Sequence, residues 1–235
     1  MAAFGAGELA GAGGNTTQLD TANLNVTGSN LALICGGGED AGGATTFTLT
    51  WDPAGNNESM TGTFATVSIG SYPDATLQYL DDPTAANAPI RLDLSTSTTC
   101  AVMGTFFTAA GNIVATDTAN DSATSGTALS VTVPNVVSGD MICDWCVTGD
   151  SSGAHVDGAD QAEVNTQATS GSFLRASASY QAGADDDVMS WTTGTLYYGG
   201  ILIGARIPDV GGAPAANPKG PFSMPFHGPF GGPIG

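Results

Sequence analysis

The chain has 235 residues, enough for one sizeable sandwich or two small domains, with a core that removes roughly 70 to 75 % of the unfolded surface from water. Only 11 % of the residues are charged, and four basic ones, Arg91, Arg175, Arg206 and Lys219, stand against 22 acidic ones for a net charge of −18. Such a surface repels phosphate backbones and anionic lipid heads, so neither nucleic acid nor membrane is an expected partner, and a charged partner should be positive.

Residues 1–22 are rich in Gly and Ala without periodicity and read as an N-terminal arm, and Met1 to Glu8 have neither the basic start nor the apolar run of a secretory signal. Residues 23–207 carry the strand signals and read as one body. Asn30 to Gly36 comes first, and its longest apolar run, Leu31 to Cys35, is too short to span a bilayer. Gly36-Gly37-Gly38 reads as a turn, because neither the Lys nor the helix of a phosphate loop follows it. Phe47, Leu49 and Trp51 then alternate with threonines, and Thr61 to Ser68 and Ala75 to Leu80 follow. Ile90, Leu92 and Leu94 alternate with Arg91, Asp93 and Ser95, ahead of Cys100 to Thr108. Leu129, Val131 and Val133 precede Met141 to Val147. Leu174, Ala176, Ala178 and Tyr180 alternate with Arg175, Ser177 and Ser179, before Val188 to Trp191 and the run Ile201, Ile203, Ala205 and Ile207. Each period of two predicts one buried and one wet face.

Turn chemistry separates these runs at Asp52 to Asn57, Asp81-Asp82-Pro83 and Asp150 to Gly153, and no long window shows a helical stripe. Ten to twelve strands of this kind suit two packed sheets. The expected fold is all-β, an antiparallel β-sandwich of jelly-roll type with extended N- and C-terminal arms.

Four cysteines, Cys35, Cys100, Cys143 and Cys146, sit in strand-like apolar runs and read mainly as buried small hydrophobes, with a structural disulfide at Cys35 or Cys100 as the alternative. Cys143 and Cys146 are three apart, so on a strand they face opposite sides and should not pair. His155 lies in a polar, loop-like stretch and His227 near the end, neither in the context of a catalytic triad. The acidic runs at Asp81-Asp82 and Asp185-Asp186-Asp187 read as solvated turns. Asp150, Asp157, Asp160 and Asp185 to Asp187 lack the ordered spacing of an EF-hand loop, and a structural calcium ion among them is the alternative to solvated turns. Trp51, Trp145 and Trp191, with Tyr72, Tyr79, Tyr180, Tyr197 and Tyr198, read mainly as core, with a sugar-stacking platform as the alternative. No catalytic residue, cofactor or metal ligand is expected.

Three stretches in order, Val26 to Ile34, Leu77 to Asn87 leading into Ile90 to Leu94, and Ala178 to Trp191, resemble a β-sandwich domain that recurs in bacteriophage virion proteins and some bacterial surface proteins. The likeness rests on turn and core elements, covers most of the body and implies a displayed structural module, with no functional residue carried over. Residues 208–235 read as a second arm, with prolines at 221, 225, 229 and 233, each followed by an apolar residue: Phe222, Phe226, Phe230 and Ile234. This four-residue repeat suits neither a helix nor a central strand and favours polyproline-like geometry. With Met224, these are the expected partner-binding residues. The expected role is a virion structural protein, a capsid decoration or cement protein that is assembled in a host cytoplasm and exposed outside it. Its expected partners are capsid or other virion subunits and further copies of itself. A receptor- or glycan-binding module of a tail fibre or adhesin, binding a surface glycan, and a subunit of an extracellular filament are the alternatives.

Overall fold

The computed structural model describes residues 1–11, 15–39, 46–70, 73–149, 153–168, 174–183 and 187–210. Among them are seventeen strands and no helix. The first half contains β1 (Ala3–Gly11), β2 (Thr16–Asp20), β3 (Leu24–Asn25), β4 (Leu31–Gly38), β5 (Phe47–Trp51), β6 (Glu58–Ser59), β7 (Gly62–Ser68), β8 (Asp74–Asp81), β9 (Asn87–Ala88), β10 (Ile90–Thr98) and β11 (Cys100–Thr108). The second contains β12 (Thr118–Thr132), β13 (Met141–Gly149), β14 (His155–Asp157), β15 (Ala162–Ala168), β16 (Leu174–Ala182) and β17 (Val188–Ile207). The strand pairs are antiparallel.

The chain is an antiparallel β-sandwich, and it is three layers deep where two were expected. Its middle sheet runs β1-β11-β4-β8-β7; one outer sheet runs β2-β10-β5-β6, and the other runs β12-β17-β13-β16-β15 with β14 also on β17. The alternation of β4 shows why three layers form. Leu31, Leu33 and Cys35 point into a core shared with Cys143, Trp145 and Val147 of β13. Ala32 and Ile34 point the other way, into a core shared with Leu49, Trp51, Ile90 and Leu92. Both faces being apolar, every residue of β4 is buried, and a buried aliphatic side chain contributes roughly 1.5–3 kcal/mol through water removed from its surface.

Gly36, Gly37 and Gly38 therefore belong to β4 and are not the turn expected of them. Their missing side chains let the outer sheets close on the middle one: a Cβ on Gly37 would lie 2.9 Å from Val147 Cγ2, and one on Gly104 of β11 would overlap Ile90 Cδ1.

The N-terminal arm is a second correction. Residues 3–11 pair with β11 and residues 16–20 with β10, so most of the first 22 residues are sheet. Leu9 is buried, Phe4 stacks on Tyr180 with ring centroids 4.3 Å apart, and Arg91 donates two 2.8 Å hydrogen bonds to the Asp20 carboxylate. Strands made of Ala and Gly carry little hydrophobic alternation, and here the neighbours supply the burial.

A third correction concerns Ser177 and Ser179, expected on a wet face and found fully buried. β12 and β17 form a long ribbon whose register shifts between Gly126 and Ala128, and Gly199 takes a positive φ of 79°. The first part of β17 thereby folds back with β14 over β13 and β16, and encloses a third core of Trp191, Met189, Leu129, Cys146 and Leu202.

Candidate docking site

The expected partner-binding residues Phe222, Met224, Phe226, Phe230 and Ile234 lie outside the described residues, as does His227. What the structure does describe is the place from which they leave the body. Past β17 the chain does not separate at residue 208. Gly111 N donates to Pro208 O at 2.6 Å, Asp209 bridges to Ala110, and Val210 N donates to Ala109 O at 3.2 Å. The body therefore extends to Val210, three residues beyond the expected boundary.

An ionic cluster fixes this end. Arg206 donates from Nη1 to Asp117 Oδ2 at 2.7 Å and from Nε to Asp140 Oδ2 at 2.6 Å, with its side chain about 10 % exposed. Asp117 also accepts from Asn135 Nδ2, and Asp140 from the Val137 and Asp209 amides, so every oxygen of both carboxylates accepts at least one hydrogen bond. A paired, hydrogen-bonded charge cluster of this kind holds its geometry, because removing one partner strands the others in low dielectric. Met1's ammonium lies 2.7 Å from Asp209 Oδ1.

Beside the cluster is an open cleft of about 480 Å³, lined by Ala110, Asn112, Val114, Arg206, Pro208 and Val210 among others. Among the described residues, Val114 and Val210 are two of the few large apolar side chains left exposed, at 46 % and 66 %. A second cleft of about 260 Å³ shares Asn30, Ala110, Gly111 and Asn112 with the first and continues it to Asp81 and Asp82. Asn30 makes the floor rigid. Its Nδ2 donates to Ala110 O at 2.8 Å, its Oδ1 accepts from Ala110 N at 3.0 Å, and its carbonyl accepts from Asp82 N at 2.9 Å. The result is one continuous trough, apolar at the end where the chain leaves and acidic at the other. At the acidic end Asp81 is held above the ordinary carboxylate range by burial and by the adjacent Asp82.

The other chemically capable groups lie elsewhere, under the folded-back part of β17. His155, expected in a loop, is buried on β14; its Nε2 lies 2.8 Å from Thr148 Oγ1 and its Nδ1 2.7 Å from Ser177 Oγ. A neutral ring satisfies both contacts, and burial, aided by the positive charge of Arg175, lowers its pKa to about 3. Asp144, fully buried on β13, accepts from Ser179 N (2.7 Å), Ser179 Oγ (3.0 Å), Trp191 Nε1 (2.7 Å) and Gln161 Nε2 (3.3 Å). Desolvation outweighs those donors and raises its pKa to about 7. Asp144 is bonded to other groups than His155, so the two do not form a relay; His155 ties β14 to β13 and β16, and Asp144 ties β13 to β16, to Trp191 of β17 and to Gln161 just before β15.

Trp51, Trp145 and Trp191 are buried, which removes them from any sugar-stacking surface; Tyr197 is buried and Tyr198 half exposed, one ring on each side of the strand. Tyr72, Asp150, Asp185 and Asp186 lie outside the described residues. Asp157, Asp160 and Asp187 are described, and no group of three or more His, Cys, Asp or Glu is placed to hold a metal ion among the described residues. The four cysteines are buried and free, with Cys143 and Cys146 in different cores on opposite faces of β13. Comparison with known proteins finds no matching family model, no matching curated protein and no matching solved structure.

Asn30 and Arg206 were not singled out in the sequence. The available signal for Arg206 was its rarity: a cation inside an apolar strand of a chain with three arginines needs buried carboxylate partners.

Proposed function

We propose that this chain is a structural subunit that attaches to a larger assembly, specifically a capsid decoration or cement protein of a phage-like virion. The observation that carries the reading is the end of the body at Val210, ionically clamped and beside an apolar trough; further along the sequence, from Pro221, comes the Pro-apolar repeat. The resemblance of the body to sandwich domains of virion proteins supports the same reading, and the cation-poor surface suits a module displayed outward. Attachment then falls to residues 211–235, whose proline-limited backbone loses little entropy on binding. Cosedimentation with assembled particles from the source that encodes the chain tests this. The full chain should sediment with particles and a chain ending at Val210 should remain in the supernatant; equal recovery of both would overturn the assignment.

A glycan-binding module is the second reading. Tyr198, 49 % exposed, is the ring that favours it, and a glycan array probed with wild type and Tyr198→Ala would detect it.

A further inference from the structure

β12 stands at the end of its sheet, with β17 on one side. Which of its backbone groups face β17 follows from a single bond. Arg206 N donates to Asp117 O at 3.0 Å, and Ala119, Asp121 and Ala123 sit opposite Gly204, Leu202 and Gly200 in the same register, so these residues turn their N–H and C=O groups to β17. Thr118, Asn120, Ser122 and Thr124 turn theirs away from the sheet, and the last three are exposed. Beyond the register shift between Gly126 and Ala128 the edge is capped at Ser130, whose amide donates to Asp121 Oδ2 at 3.1 Å. The other outermost strands are blunted: β1, β7 and β15 each carry a register shift, β2 pairs with β10 in an interrupted register, and β6 is two residues long. Thr118 to Gly126 has no such device, and it contains no Pro, Lys or Arg.

We propose that Thr118 to Gly126 pairs antiparallel with the same segment of a second copy, about a two-fold axis at Ser122, so that the outer sheets of the two copies join into one. Charge selects both the occupant and the register. The chain as a whole, at −18, repels its copies, but this segment carries one charged side chain, Asp121, already bonded to Ser130 N. An axis at Asp121 would set that carboxylate against itself, and an axis at Asn120 would run the pairing onto residue 116, ahead of the start of β12. An axis at Ser122 keeps the pairing inside Thr118 to Gly126, with Asn120 opposite Thr124 and Asp121 opposite Ala123. A two-fold pair also closes both edges at once, whereas a strand from another protein would bring an edge of its own.

The pairing goes beyond the attachment reading and does not depend on it. Full-length single-cysteine variants test it, because Cys35, Cys100, Cys143 and Cys146 are buried and an introduced edge thiol is the accessible one. At the axis, residues facing each other across hydrogen bonds lie roughly 5.5 Å apart at Cα, within the span of a disulfide. Ser122→Cys should therefore form a covalent dimer with oxidised glutathione, the two thiols giving up two protons and two electrons and the oxidant leaving as two reduced molecules. Thr124→Cys, about 14 Å from its copy along the strand, should not. By sedimentation velocity wild type should dimerise, and Ser122→Pro should weaken the dimer on the order of tenfold or more with an unchanged melting curve, because the amide it removes faces away from β17. Wild type that stays monomeric, equal cross-linking of the two cysteine variants, or a folded Ser122→Pro chain that dimerises like wild type would each overturn the pairing, the first leaving the edge to a strand of another protein. Cosedimentation with particles reads attachment separately, so any of these results would leave that reading standing.

Discussion

Two buried groups on neighbouring strands act on stability in opposite senses. His155 has a pKa of about 3 in the fold against 6.5 when free, so between those values the unfolded chain binds a proton that the folded one does not, and stability is lost as pH falls from 6.5 toward 3. Asp144 has a pKa of about 7 against 3.8, so the folded chain holds a proton that the unfolded one has released, and stability is lost as pH rises from 3.8 toward 7. The two slopes offset each other over their shared window. His155→Gln removes one of them: the stability gap between wild type and variant in urea melts should widen by on the order of a few kcal/mol as pH rises from about 4 to 6.5, then level off. A gap independent of pH would show that the ring is not held neutral. The thiols allow a simpler check. Burial raises Cys100 to about 11 and Cys143 to about 12, and Cys35 and Cys146 are also buried. Native protein should therefore fail to react with an aromatic disulfide reagent at neutral pH, while unfolded protein should titrate all four thiols.

Among the elements, the short stretch after β17 separates body from tail. A chain ending at Val210 should melt at the full-length temperature. One ending at Ile207 loses the hydrogen bonds of Pro208, Asp209 and Val210, each worth about 1 kcal/mol, and its melting temperature should fall by roughly 5–10 °C in calorimetry. Equal melting temperatures would return the boundary to residue 207. Strands with branched or aromatic alternation were legible in the sequence: β11 runs from Cys100 to Thr108 as its composition indicates, and β10 and β16 bury the expected Ile90, Leu92, Leu94 and Leu174. β1, β15 and the first two-thirds of β12 were not legible, because Ala, Gly, Ser and Thr fit a strand without announcing which face is buried. The trough was half legible. Asp81-Asp82 stood out as a turn, but the reciprocal bonds of Asn30 with Ala110, eighty residues away, leave no local trace.

At the scale of the whole molecule, the middle sheet separates two cores and has no wet face along β4 and most of β11. Its amides exchange only when an outer sheet comes away, so hydrogen exchange should be slowest in β4 and β11 and faster along the half-exposed edge strand β12. Equal rates across these strands would contradict the layering.

The placement of the basic residues has a consequence for digestion. Arg91, Arg175 and Arg206 all lie within paired strands, β10, β16 and β17, where a protease cannot thread the backbone into its active site, and Lys219 comes after the last of those strands in the sequence. Folded protein exposed to trypsin should therefore be cut at one bond, after Lys219, to give a resistant fragment of residues 1–219 and a released peptide of residues 220–235. Mass spectrometry of the digest reads this directly. If residues 211–235 attach the chain to a particle as proposed, that bond should be protected on the particle and cut in the free chain, so the single lysine becomes a built-in gauge of how many tails are engaged.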